Sequence, residues 1–252
     1  MKIIDCFPFF CETKMLLFRL EELYDYVDHF IISESNKTHS NIDKKYNFLE
    51  NINLFEKFKS KIIYIKVENM PQTQDSWDRE RHQRNSLSHG FSILNLNSND
   101  IIILSDLDEI PDVDTLKILK NQGLQNGIYQ IPQDMYYYNL ECKCKEKWYI
   151  GTKYFRYDNF NFELSKLRND NFINLPYKGG WHFSYFGDSS FISYKIKSFS
   201  HQEYNNDIFT NENNISEKIK NQKDLFGRDT VNWYKINISE NKYLPKKYKL
   251  LL

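Results

Sequence analysis

The chain has 252 residues, and its 34 Lys plus Arg are matched by 34 Asp plus Glu, so the formal net charge is zero. That length fits one large domain, residues 1–252, burying most of its apolar surface. The charge balance excludes a general nucleic-acid binder, which needs a basic excess. No apolar run approaches the ~20 residues of a membrane span. In the opening MKIIDCFPFF, Asp5 interrupts the apolar stretch and makes a poor signal peptide, so a cytoplasmic protein is expected.

The elements are predicted in chain order. Lys2 to Cys6 is a short apolar strand, and Thr13 to Val27 is helical, with Leu16, Leu20, Leu23, Tyr24 and Val27 on one face. Phe30 to Ser33 is the next strand, ending in Glu34, and the β-branched run Lys61 to Val67 is a third. Asp75 suits a helix N-cap and Gly90 a stop, giving a helix from Ser76 to His89. Asp100 to Leu104 reads as a strand buried on both faces, as in a parallel sheet covered by helices. Beyond it, Asp114 to Asn121 is helical, and Gly127 to Leu140 and Trp148 to Tyr157 alternate as strands of a mixed sheet. Asp188 caps a helix to Phe199, and Asn205 to Asn214 is a polar loop. In the tail LPKKYKLLL, the leucines are candidates for packing. The order implies an α/β fold with a mainly parallel sheet.

Four cysteines, Cys6, Cys11, Cys142 and Cys144, read as reduced structural thiols; Cys142-Lys-Cys144 lacks the second pair that a zinc site needs. The many aromatics go with an Asn-, Lys- and Ile-rich composition, and the glycosylation patterns at Asn36, Asn214 and Asn237 read as chance matches in such a chain.

The chemistry-bearing stretch is IIILSDLDEIPD, Ile101 to Asp112. Ligands of open α/β sheets bind beyond the carboxyl ends of the strands. Asp106 and Asp108 stand there, two residues apart and so facing the same way, and Glu34 ends its own strand at the same rim. Two hard oxygen donors suit Mg²⁺ or Mn²⁺ with substrate phosphates completing the shell. The plain alternative is an acidic loop with Asp112 capping the next helix. In RERHQRN, Arg81 neighbours Arg84 and Asn85 on a helix and could meet a diphosphate or form a solvated charged face. In KGGWHFSYF the paired glycines permit close backbone approach to a ligand, Trp181 could stack on a sugar, and His182 could ligate a metal or donate a hydrogen bond. A second His, His201, with Glu203, follows the Asp188 helix.

Taken in order, MKIIDCFPFF, FRLEELYDYVDHFIISESNKTHS, WDRERHQRN, ILSDLDEIP, GGWHFSYFG and KIKSFSHQEY resemble the family-17 glycosyltransferases over residues 1–235. The resemblance implies a GT-A-like nucleotide-sugar-binding fold, a UDP-sugar donor, usually UDP-GlcNAc, and a divalent metal on Asp106 and Asp108, with His182 or His201 completing its shell. It also implies transfer to a glycan acceptor with inversion to a β-linkage. Glu34 would lie where related folds contact the nucleoside, with Arg81, Arg84, Asn85, Asp106, Trp181 and His182 around the UDP-sugar. Candidates for the base that deprotonates the acceptor hydroxyl are Glu109, Asp188 and Glu203. Animal members carry a membrane anchor and stem, whereas this chain begins directly at the catalytic region; a bacterial or large-virus enzyme acting on a different glycan is expected. Two other readings compete. A D-x-D phosphatase would use Asp106 as nucleophile, and a non-catalytic glycan-binding module would bind without metal.

Overall fold

The computed structural model describes residues 1–168, 170 and 172–252. Its first half winds β1 (Ile3–Pro8), α1 (Thr13–Leu23), β2 (His29–Ser35), α2 (Asn47–Glu50), β3 (Ile62–Val67), α3 (Ser76–Ser86), α4 (His89–Ile93) and β4 (Ile101–Leu104). The four strands run parallel in the spatial order β4-β1-β2-β3. Both faces of β4 are covered. Ile101 and Ile103 pack with Ile3, Phe7 and the α1 residue Leu16, while Ile102 and Leu104 pack on the opposite side with Ile4, Leu87 and Phe91. A strand buried on both sides needs apolar residues at every position, which is why IIIL reads as a continuous run.

The second half adds β5 (Glu109–Ile110), α5 (Val113–Gln122), β6 (Ile128–Gln130), β7 (Gln133–Tyr137), β8 (Cys142–Trp148), β9 (Lys153–Arg156), β10 (Ile173–Asn174) and β11 (Trp181–Ser184). It closes with α6 (Ser189–Ser198), α7 (Asp207–Thr210), α8 (Glu212–Lys220) and β12 (Trp233–Lys235). The central sheet becomes seven-stranded, β10-β6-β9-β4-β1-β2-β3, with β9 antiparallel to both its neighbours. A second sheet, β12-β8-β7-β11-β5, stands beside it. One hydrophobic cluster joins the two, with Ile3 and Phe30 from the first sheet and Tyr136 and Phe183 from the second.

Several expectations change. The single strand expected over Gly127 to Leu140 breaks at Ile131-Pro132, and its halves, β6 and β7, enter different sheets. Proline has no N–H for a ladder, so the chain crosses between sheets there. Trp148 to Tyr157 divides in the same way, between the end of β8 and β9. The helix expected to run to His89 is two, α3 and α4, with Gly90 inside the second. The loop expected over Asn205 to Asn214 holds helical turns instead. Asn206 accepts from the Ile208 N–H and Asn211 from those of Asn213 and Asn214, so polar residues that look like loop are N-caps. Gly179 and Gly180 approach backbone rather than a ligand: a Cβ on Gly180, which sits at φ +93°, would lie 2.1 Å from the Ile110 oxygen. The tail packs, with Leu244 and Leu251 against the core.

The acidic turn after β4 is held from beneath by Arg19 of α1, fully buried like its partner Asp5. Nε and Nη2 of Arg19 donate to the two Asp5 oxygens at 2.8 and 2.6 Å. Nη1 donates to the carbonyls of Asp106, Leu107 and Glu109 at 2.9, 3.0 and 2.9 Å, and Nη2 also reaches the Ser105 hydroxyl at 2.7 Å. With the carbonyls drawn inward onto one guanidinium, the side chains of Asp106 and Asp108 are turned to the rim.

Arg19→Leu is expected to cost about 3–5 kcal/mol in denaturant unfolding, because Asp5 is left as an uncompensated buried charge. Adding Asp5→Leu restores only part of this, since three carbonyls lose the Arg19 donor. Full recovery in the double variant would show that the turn does not depend on the clamp. Gly180→Ala, which must push two backbones apart at positive φ, is expected to lose at least about 2 kcal/mol by the same measurement.

Candidate active site

A cleft of about 620 Å³ opens at the carboxyl ends of β1, β2 and β4, between α3 on one side and α6 with β11 on the other. Asp106 and Asp108 project into it from the turn that Arg19 holds. The cleft is polar around these acids and aromatic further along, where Trp77, Phe199, Tyr204 and Phe226 line it.

Each acid meets cations from distant parts of the chain. Asp106 receives Arg84 of α3 at 2.7 Å and Arg168 at 2.6 Å, one on each oxygen. Burial would raise the Asp106 carboxyl, but the Arg168 and Arg84 guanidiniums outweigh it and hold it well below the usual carboxylate range. Asp108 lies 3.4 Å from the Lys195 ammonium of α6 and 3.5 Å from Nε2 of His182. Its burial is likewise outweighed, chiefly by Lys195 and then by His182, and the carboxyl is held at about 2. Lys195 also pairs with Glu12 at 2.9 Å. Burial disfavours its charge, yet Glu12 and Asp108 push the Lys195 ammonium well above its ordinary value. Nη1 of Arg84 is buried with no hydrogen-bond partner among the described residues. A buried guanidinium with an unused donor beside an open cleft is suited to an anion.

Glu109 is fully buried and accepts three hydrogen bonds, from the Asp106 N–H at 2.9 Å, Trp148 Nε1 at 2.8 Å and Arg168 at 2.8 Å. It braces the turn and places Arg168. Asp106 and Asp108 offer hard oxygens on one rim, which fits Mg²⁺ or Mn²⁺ if substrate oxygens and water complete the shell. Among the described residues no group of three or more His, Cys, Asp or Glu side chains is placed to hold a metal ion. His182 lacks the outer partner that ligating histidines use, since its Nδ1 is buried and unpartnered. It faces Asp108 and stacks 4.7 Å from the Trp148 ring.

The other residues singled out from sequence are scattered. Glu34 is fully buried beneath the rim, with its carboxylate taken up by Lys44, Tyr64 and the N–H groups of Asn47 and Phe48. Arg81 turns to solvent and pairs with Asp75 and Asp78. Asn85 accepts from the Ser165 N–H. Trp181 is buried, donating to the Tyr243 carbonyl at 3.1 Å. Asp188 is exposed and caps α6 through the Phe191 N–H. His201 lines the cleft, edge-on to Trp77, and its Nδ1 meets Glu203 at 2.7 Å.

Glu12, His39, Trp148, Arg168 and Lys195 complete the cleft and were not singled out. Arg168 sits in no motif, and Lys195, though it opens KIKSFSHQEY, looks like an ordinary last-turn helix charge. Only tertiary pairing with Asp106 and Asp108 distinguishes them.

The sequence profile of glycosyltransferase family 17 matches residues 1–234. The β-1,4-mannosyl-glycoprotein 4-β-N-acetylglucosaminyltransferase of Homo sapiens is 35% identical over 115 residues, 43% of this chain and 22% of that protein. Its Rattus norvegicus counterpart is 33% identical over 125 residues, 47% of this chain and 23% of that protein. The matched segment therefore spans under a quarter of these curated relatives. Among solved structures, a 4-diphosphocytidyl-2C-methyl-D-erythritol synthase aligns over 71% of this chain and 89% of its own, at 12% identity and a TM-score of 0.39. With nearly its whole length matched by the profile, the chain belongs to glycosyltransferase family 17.

Proposed function

We propose that the protein transfers a sugar, GlcNAc by preference, from a UDP-sugar to a glycan hydroxyl, with inversion to a β-linkage and with a divalent cation, Mn²⁺ or Mg²⁺. The observation that carries this reading is the Asp106–Asp108 pair at the mouth of β4, facing a cleft and ringed by Arg84, Arg168 and Lys195. The choice of GlcNAc is supported by the N-acetylglucosaminyltransferase names of the relatives. A GT-A-like arrangement is in keeping with the parallel strands leading to that rim.

Asp106 and Asp108 would hold the cation, which supplies charge neutralisation for the diphosphate as it departs. Arg84 and Arg168, which line the cleft on either oxygen of Asp106, would face the same phosphates. Lys195 shares its charge between Asp108 and Glu12 and offsets part of their negative charge. Of the three acids considered as base, Glu203 is joined to the cleft, through His201. With the Nδ1–H of His201 donated to Glu203, Nε2 is the acceptor for the proton of an incoming hydroxyl. The phosphatase reading would use Asp106 as nucleophile, and the match to a glycosyltransferase family over residues 1–234 favours sugar transfer instead.

Calorimetry is expected to show UDP binding in the presence of Mn²⁺ and its loss with chelator; folded protein that binds UDP under neither condition would remove the reading. Asp108→Asn is expected to lower UDP-GlcNAc turnover at least about 100-fold while far-ultraviolet dichroism stays unchanged. His201→Ala is expected to lower kcat about 100-fold with UDP affinity unchanged. A parallel loss of UDP affinity would place His201 at the donor instead.

A further inference from the structure

Below the carboxyl ends of β1 and β2, hydrogen-bond bookkeeping fixes one imidazole in one tautomer. Gln83 of α3 is buried, and its amide nitrogen donates to the Phe9 carbonyl at 3.1 Å and the Ser33 carbonyl at 2.9 Å. A side-chain amide has two N–H bonds, so both are used and its Oε1 can only accept. That oxygen lies 2.9 Å from Nε2 of His39. Nε2 must therefore carry the proton, which leaves Nδ1 with a bare lone pair. Nδ1 has no hydrogen-bond partner among the described residues, and His39 lines the cleft. The residue is pinned further by Arg79, whose Nε donates to the His39 carbonyl at 2.5 Å.

We propose that His39 Nδ1 accepts the N3–H of a uracil ring seated at the carboxyl ends of β1 and β2, and so selects a uridine over a cytidine donor. This rests on the nucleotide-sugar reading above and adds the group that reads the base. Uracil carries a proton at N3, whereas cytosine presents a lone pair there. A fixed acceptor welcomes the first and repels the second, and a polar site left mispaired discriminates strongly. The location suits a nucleoside, since His39 neighbours Gln83, and the next residue of α3, Arg84, reaches Asp106, where the diphosphate would lie. The charge state also suits an acceptor. Burial, more than any neighbour, lowers the His39 pKa; Glu80 opposes this, while Arg84 and Arg79 add to it, so the ring is neutral at neutral pH.

The test is calorimetry with UDP and CDP, both with Mn²⁺, on the full chain. The wild type is expected to favour UDP by at least about tenfold, and His39→Leu to bring the two within about threefold, mainly by weakening UDP. A second measurement needs no variant. Once the pH falls below the lowered His39 pKa, protonation turns Nδ1 into a donor, and the UDP-to-CDP affinity ratio is expected to fall. The diphosphate titrates alike in both ligands and cancels from the ratio. Equal affinities in the wild type would overturn the assignment while leaving the diphosphate site standing, and this is the result expected if Nδ1 meets a ribose hydroxyl, which both nucleotides carry. A ratio unchanged by His39→Leu would overturn it too. Failure of the wild type to bind either nucleotide would overturn the underlying reading and this inference with it.

Discussion

The structure depends on one buried guanidinium. Arg19 spends its donors on Asp5 of β1, on the Ser105 hydroxyl and on the carbonyls of Asp106, Leu107 and Glu109 in the acidic turn. A buried charge pair is costly to assemble and more costly to break, so this contact ties β1, α1 and the turn after β4 into one unit. A turn with three carbonyls drawn to a cation below presents its acidic side chains above. The negative charge gathered at Asp106, Asp108 and Glu109 is thereby a consequence of backbone direction, and it is offset by Arg84, Arg168 and Lys195, which arrive from three other segments.

Much of the first half of the fold is legible in the sequence. Buried parallel strands are written as unbroken apolar runs, and the caps Asp75, Asp112 and Asp188 stand where their helices begin. The second sheet is far less legible. β5 and β10 are each two residues long, too short for any periodicity, and the chain changes sheets at Pro132 without a change in composition. The asparagines of the Asn205–Asn214 stretch belong equally to loops and to N-caps, and only the neighbouring N–H groups decide between them.

The site divides along the same line. Asp106 and Asp108 can be found because a strand end and a two-residue spacing are local facts. Their cations cannot, because ion pairing across 62 positions, as between Asp106 and Arg168, leaves no trace in either segment. The same holds for His39, whose tautomer is set by Gln83, 44 positions away. Glu34 shows the reverse case. It stands at the end of its strand as the acids of β4 do, yet Lys44 and Tyr64 close over it and it serves the core.

The last residues of the chain reach back to the same machinery. Lys246 and Lys247 donate their backbone N–H groups to the Glu22 carboxylate on the helix that carries Arg19. The Tyr243 hydroxyl donates to Asp112, the cap that follows the acidic turn. All three lie beyond residue 234, where the family match stops. An expression unit trimmed to the family boundary would take the Lys246 and Lys247 donors from Glu22 and the Tyr243 hydroxyl from Asp112, on either side of the acidic turn. For this chain, the stretch that defines its kinship is shorter than the stretch that holds the acidic turn in shape.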